Sequence, residues 1–103
     1  MIRIQRLDTV IDQDVTYEIY LNGMKLDTIQ VGEMKKYDLK NGDYELEIKS
    51  YEMQSNKVKF NVYDGQILEF TCRPLYQEHS KIFYKLIKGG KGISLENNQN
   101  LYL

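Results

Sequence analysis

Cys72 and His79 are the chain's single thiol and single imidazole, and together they are the pair that nucleophilic catalysis would use. That chemistry needs the imidazole within hydrogen-bond reach of the sulfur, to draw off its proton. Their surroundings argue otherwise. Cys72 follows Leu68 and Phe70 at alternate positions, so a buried, inert thiol is expected. His79 sits among Gln77 and Glu78 in a polar stretch. Asp8, Asp12 and Asp14 offer oxygens to Ca²⁺, but their spacing is not that of an Asp-x-Asp-x-Asp-Gly loop. A solvated loop is expected there, with no metal site. Gly89-Gly90-Lys91-Gly92 lacks the eight-residue spacing of a phosphate-binding loop and reads as a hinge. No catalytic residue and no cofactor is assigned.

What remains is surface chemistry. The alternation sends Tyr20, Tyr51 and Tyr63 outward. Exposed rings on a sheet can stack on sugars or anchor a protein partner. A second surface comes from the tail, where Ile82, Phe83, Leu86 and Ile87 recur at helical spacing beside Lys81, Lys85 and Lys88. Ser80 can cap that segment and Gly89 can end it. So short a helix is marginal in water, and its apolar stripe is expected to pack on its own sandwich. A second subunit, or the surface of an anionic membrane, would serve the same stripe.

The chain has 103 residues, a formal net charge of -1, 42% hydrophobic and 28% charged residues. One soluble domain fits these values. The near-neutral balance gives no field that would gather nucleic acid. Residues 75–103 carry four lysines against two glutamates, a net of +2, which leaves -3 on residues 1–74. A single cysteine excludes an intrachain disulfide and leans towards a reducing compartment. The first residues, Met1 to Leu7, lack the apolar core of a signal peptide, and the longest nearly apolar run, 82–87, is too short to span a bilayer. A cytoplasmic location, with peripheral membrane association through the tail as the variant, is the expectation.

The elements that must position these groups are strands. Val15, Tyr17, Ile19 and Leu21 alternate with polar residues, and Asn22-Gly23 follows, the pair that best supplies the positive φ angles of a two-residue hairpin. Asn41-Gly42 leads into Tyr44, Leu46 and Ile48, alternating with Glu45 and Glu47. Val58, Phe60 and Val62 precede Asp64-Gly65, read as a further hairpin turn. Leu68, Phe70 and Cys72 then run up to Pro74, which cannot donate to a ladder. With an opening strand at Ile2–Gln5 and others over 24–31 and 34–39, about seven strands fill residues 1–74, at the spacing of a sandwich. Tyr17, Ile19, Leu21, Leu39, Leu46, Ile48, Val58, Phe60, Val62, Leu68 and Phe70 are the expected core.

The stretch from Tyr17 to Arg73 resembles small bacterial immunoglobulin-like modules of the PEGA-like kind. The resemblance rests on Ile19-Tyr20-Leu21-Asn22-Gly23-Met24-Lys25, on Leu39-x-x-Gly42-x-Tyr44-x-Leu46-x-Ile48, and on Gly65 with Leu68-Glu69-Phe70. Tyr44 after Gly42 also resembles a tyrosine corner, in which a hydroxyl ties a crossover to nearby backbone. The resemblance implies a non-catalytic module with no catalytic residue. The expected chain is therefore an all-β, immunoglobulin-like antiparallel sandwich over 1–74. Its extension, 75–103, holds a helix at about 80–88, a glycine hinge at 89–92 and short strands at 93–95 and 101–103. The expected function is protein binding, including a homodimer. A carbohydrate-binding module using the tyrosines is the alternative, and a weak membrane-surface module is another.

Overall fold

A strand that alternates apolar and polar residues buries one face only, so two such sheets must cover each other. The computed structural model describes residues 1–76, 83 and 89–98. Among these residues there are eight strands: β1 (Ile2–Arg6), β2 (Tyr17–Leu21), β3 (Met24–Ile29), β4 (Met34–Tyr37), β5 (Gly42–Lys49), β6 (Val58–Val62), β7 (Leu68–Pro74) and β8 (Ile93–Asn97). They form two four-stranded sheets, ordered β4-β1-β7-β8 and β3-β2-β5-β6. Ile2 and Ile4, Tyr17 and Ile19, Leu46 and Ile48, Phe60 and Val62, Leu68, Phe70 and Cys72, and Ile93 and Leu95 are all buried between them. Leu21, Leu39 and Val58, expected at the centre, are only partly buried against this core, whereas Ile29, Met53 and Tyr76 join it.

The pairing corrects the expectation of a wholly antiparallel sandwich at one place. β1 runs parallel to β7, with Ile2 opposite Leu68 and Arg6 opposite Cys72. The cause is that successive strands change sheets. Asn22-Gly23, with φ of 51° and 80°, does close the hairpin between β2 and β3. Asn41-Gly42 and Asp64-Gly65 instead carry the chain from one sheet to the other, because β4 and β7 belong to the sheet opposite β5 and β6. A constant-type immunoglobulin sandwich groups its first, second, fourth and fifth strands. Here β1 and β4 lie in one sheet and β2 and β5 in the other.

Side chains tie the sheets along both flanks. On one, Asp27 of β3 accepts bonds from the Tyr37 hydroxyl (2.8 Å) and Lys35 (3.2 Å) of β4. The Tyr37 hydroxyl is the main cause holding the Asp27 carboxyl below its ordinary range. On the other flank, Asn56 both donates to the Leu95 carbonyl (2.9 Å) and accepts from its N–H (3.0 Å). The Tyr44 hydroxyl donates to the Lys40 carbonyl at 2.6 Å, spanning the crossing at Asn41-Gly42.

The sandwich also draws on residues past Pro74. β8 pairs with β7 from Phe70 opposite Asn97 to Pro74 opposite Ile93. Gly90 and Gly92, within the expected hinge, are buried. The Gly90 carbonyl accepts from Gln54 N–H at 2.7 Å, and the Gly92 carbonyl from Leu75 N–H at 2.7 Å. A Cβ on Gly92 would lie 2.8 Å from Met53 Sδ and 2.9 Å from the Tyr76 ring. Close packing, rather than freedom of motion, explains that glycine. The helix expected at 80–88, with Lys81, Ile82, Lys85, Leu86, Ile87 and Lys88, and the strand at 101–103 lie outside the described residues. Phe83 is described and is half-exposed.

Candidate functional site

The third inward residue of β1, after Ile2 and Ile4, is Arg6, and it is fully buried. A buried guanidinium needs partners for its donors, and Arg6 finds them at both Nη atoms, while its buried Nε has no hydrogen-bond partner among the described residues. Arg6 Nη1 donates to the carbonyls of Val15 (2.6 Å) and Ile29 (3.0 Å), and Nη2 to that of Asp12 (2.6 Å). The guanidinium lies 3.6 Å from the centre of the Tyr17 ring, a cation–π arrangement that is stronger for being desolvated. One cation thereby gathers the Asp8–Thr16 connection and the end of β3 onto β1.

Asp12 completes the cluster. Its backbone is left-handed, with φ of 63°, a region in which Asp is several-fold enriched. Its carbonyl takes the Arg6 bond and one from Val15 N–H (2.9 Å). Its carboxylate accepts from two hydroxyls, Tyr17 at Oδ2 (2.6 Å) and Tyr76 at Oδ1. Burial first, and then the bond to Asp12, pushes both tyrosines well above the ordinary phenol range. Tyr37 is raised for the same reasons, with Asp27 as its carboxylate.

The tyrosines set a pH dependence. Their neutral form is favoured by folding, so the folded chain holds protons that the unfolded chain loses near pH 10. The stability this represents is intact below about pH 9 and falls as pH rises past about 10. Urea unfolding at a series of pH values between 8 and 11 should show a decline that begins gently near pH 9, where the unfolded Cys72 thiol titrates, and steepens past about 10 with the tyrosines. Tyr76→Phe should flatten that decline; an equal slope in both proteins would mean that Tyr76 titrates alike folded and unfolded.

Around this cluster the surface is concave. One depression of about 390 Å³ is lined by Val10, Ile11, Asp12, Gln13, Asp14, Val15 and Tyr76. A second, of about 260 Å³, is lined by Asp12, Val15, Ser50, Tyr51, Glu52 and Tyr76. They share Asp12, Val15 and Tyr76, so they meet at one end of the sandwich. Val10 (83% exposed) and Tyr51 (98% exposed) stand on their rims.

The other residues singled out in the sequence fall elsewhere. Tyr20 is half-buried on the outer face of β2, with Lys49 Nζ 4.5 Å from its ring centre. Tyr51 follows the last residue of β5 by two, while Tyr63 follows β6 at the level of the start of β5. They lie at opposite ends of an eight-residue strand, on the order of 25 Å apart at 3.3–3.4 Å per residue. The three rings therefore make no common platform. Cys72 is buried, and burial pushes its thiol up to about 12; His79 lies outside the described residues. Asp8, Asp12 and Asp14 do not converge, and among the described residues no three His, Cys, Asp or Glu side chains form a metal-holding group. Nor is any helix among the described residues long and apolar enough to cross a membrane. Sequence reasoning missed Arg6 and Tyr76. The signal for Arg6 was its place in the Ile2, Ile4, Arg6 alternation; Tyr76 had none.

No protein-family model, curated protein or solved structure matches this chain.

Proposed function

We propose that this chain is a non-enzymatic, immunoglobulin-like interaction module of the PEGA-like kind, which binds a protein partner through the end of the sandwich built on Arg6 and Asp12. The observation that carries this reading is the pair of joined depressions with Val10 and Tyr51 exposed on their rims. Exposed apolar and aromatic side chains beside polar groups are suited to a protein partner, since aromatic residues dominate binding energy at such surfaces. The connection that carries Val10 is held from beneath by the Arg6 and Asp12 bonds, and the turn that carries Tyr51 is closed by bonds between Ser50 and Met53. A rim of that kind loses little conformational freedom on docking. The Tyr44 tie to Lys40 supports the corner-like part of the resemblance. The dispersal of Tyr20, Tyr51 and Tyr63 favours a protein partner over a sugar.

The test is affinity capture from native cells, comparing wild type with a Val10→Asp/Tyr51→Ser double variant. Both positions are exposed, so the variant should fold and melt as wild type does. One or more proteins retained by wild type should be lost, with at least a tenfold fall in affinity once a partner is purified. Equal capture by both proteins would place the binding surface elsewhere.

A further inference from the structure

A sheet edge left open is a template for another strand, and native proteins blunt their edges. Three of the four edges here are blunted. β4 has only four residues and carries Lys35 and Lys36. β3 has a bulge at Leu26, where its register with β2 shifts between Ile19 and Tyr20. β8 is covered by Gln54–Asn56, through the bridge of Ser55 to Ile93 and the two bonds of Asn56 to Leu95. β6 carries one lysine, Lys59, but has no bulge and, among the described residues, no covering segment. It pairs in unbroken register with β5, from Val58 opposite Leu46 to Val62 opposite Gly42, and among the described residues no strand lies on its other side.

We propose that this edge pairs with the β6 edge of a second copy, antiparallel and two-fold about Phe60, joining two four-stranded sheets into one. A two-fold axis normal to the sheet keeps outward residues on the outward face. It sets Lys59 opposite the partner's Asn61, and Lys57 opposite the partner's Tyr63. No like charges meet, whereas pairing centred on Lys59 would oppose two lysines directly, which is unfavourable. The outer face of this edge is complementary to the incoming lysine. Asp43 and Glu45 line a shallow basin of about 580 Å³ together with Lys59 and Asn61. Asn61 donates to Asp43 at 2.5 Å. The partner's Lys59 brings a positive charge to the carboxylates of the basin. The partner's Lys57 meets the ring of Tyr63, which is 65% exposed, in a cation–π contact. Five residues of edge bury less than the roughly 1,200 Å² of a stable interface. The dimer is therefore weak and concentration-dependent.

The experiment is sedimentation of wild type and Asn61→Lys over a wide concentration range. The new lysine keeps an acidic neighbour in Asp43 but faces the partner's Lys59. Wild type should rise from monomer towards dimer mass, while the variant, with an unchanged melting curve, stays monomeric. A second measurement reads the register without relying on that variant. Lys59→Cys and Asn61→Cys chains, mixed under mild oxidation, should cross-link with each other at least five times faster than either does with itself. Cys72 is buried and does not compete. Wild type that remains monomeric throughout, dimerisation of Asn61→Lys equal to wild type, or self-cross-linking as fast as the mixed reaction would each overturn the proposal.

Discussion

Arg6→Met should destabilise the fold by about 2–5 kcal/mol, the range expected when two carbonyl acceptors lose a charged donor. Methionine preserves the stem and the packing but supplies no donor. The carbonyls of Val15 and Ile29 would lose their Arg6 partner, and each buried acceptor so stranded costs about 1–3 kcal/mol. The Asp12 carbonyl would keep its bond from Val15 N–H. The stack on Tyr17 would be lost as well. Arg6→Lys should recover little, because an ammonium cannot reproduce the planar fork that reaches three carbonyls. A domain of this size has a total stability of about 5–15 kcal/mol, so either variant should be marginal near body temperature. Urea unfolding measures the effect. A methionine variant within about 1 kcal/mol of wild type, less than a single stranded carbonyl is expected to cost, would mean that water reaches these carbonyls.

The second large effect is expected at Phe60. Its ring stacks on Tyr44, with centres 5.6 Å apart, and meets Phe70 at 4.9 Å with the planes tilted by 59°. This aromatic row crosses the interior from β5 through β6 to β7, so it joins the two sheets. Phe60→Ala should cost about 3–5 kcal/mol, the transfer free energy of the ring plus the cavity that its neighbours cannot fill. Phe60→Leu should cost less, roughly 1–1.5 kcal/mol, because most of the volume remains. Thermal and urea unfolding of both variants checks the order. If alanine and leucine cost the same, the neighbouring rings collapse into the space and the row is not rigid.

Local signals were legible in the sequence, and distant ones were not. The Asn22-Gly23 hairpin could be read because both ends of its pairing lie within a few residues of the turn. Tyr17, Ile19, Leu46, Ile48, Phe60 and Phe70 could be read because burial of one face imposes a period of two. Asp64-Gly65 shows the limit. A turn pair announces that the chain reverses, but not whether the next strand stays in the same sheet, and here it changes sheet. The parallel partnership of β1 and β7 left no local mark at all. Arg6 was passed over because its charge suggests solvent, although its position in the alternation pointed inward. Tyr76 lies beyond Pro74 in a stretch of no regular period, and only the folded chain brings it to Asp12. Neither member of that pair marks the site alone; only their meeting in the fold does.

The parallel pair also sets an order of events. β2 and β3 are neighbours along the chain as well as in space, and so are β5 and β6, so each pair can form from short-range contacts at little cost in loop entropy, leaving one longer-range pairing, β2 with β5, to complete their sheet. The opposite sheet cannot. β1 lies between β4 and β7, and its β7 partner begins only at Leu68. During synthesis at roughly 5–20 residues per second, Ile2 and Ile4 wait several seconds for the strand that will shelter them. β8, which flanks β7, arrives later still. The slowest step of folding is then the closing of the sheet that contains β1, and β1 is the strand that waits longest, exposed to wrong partners.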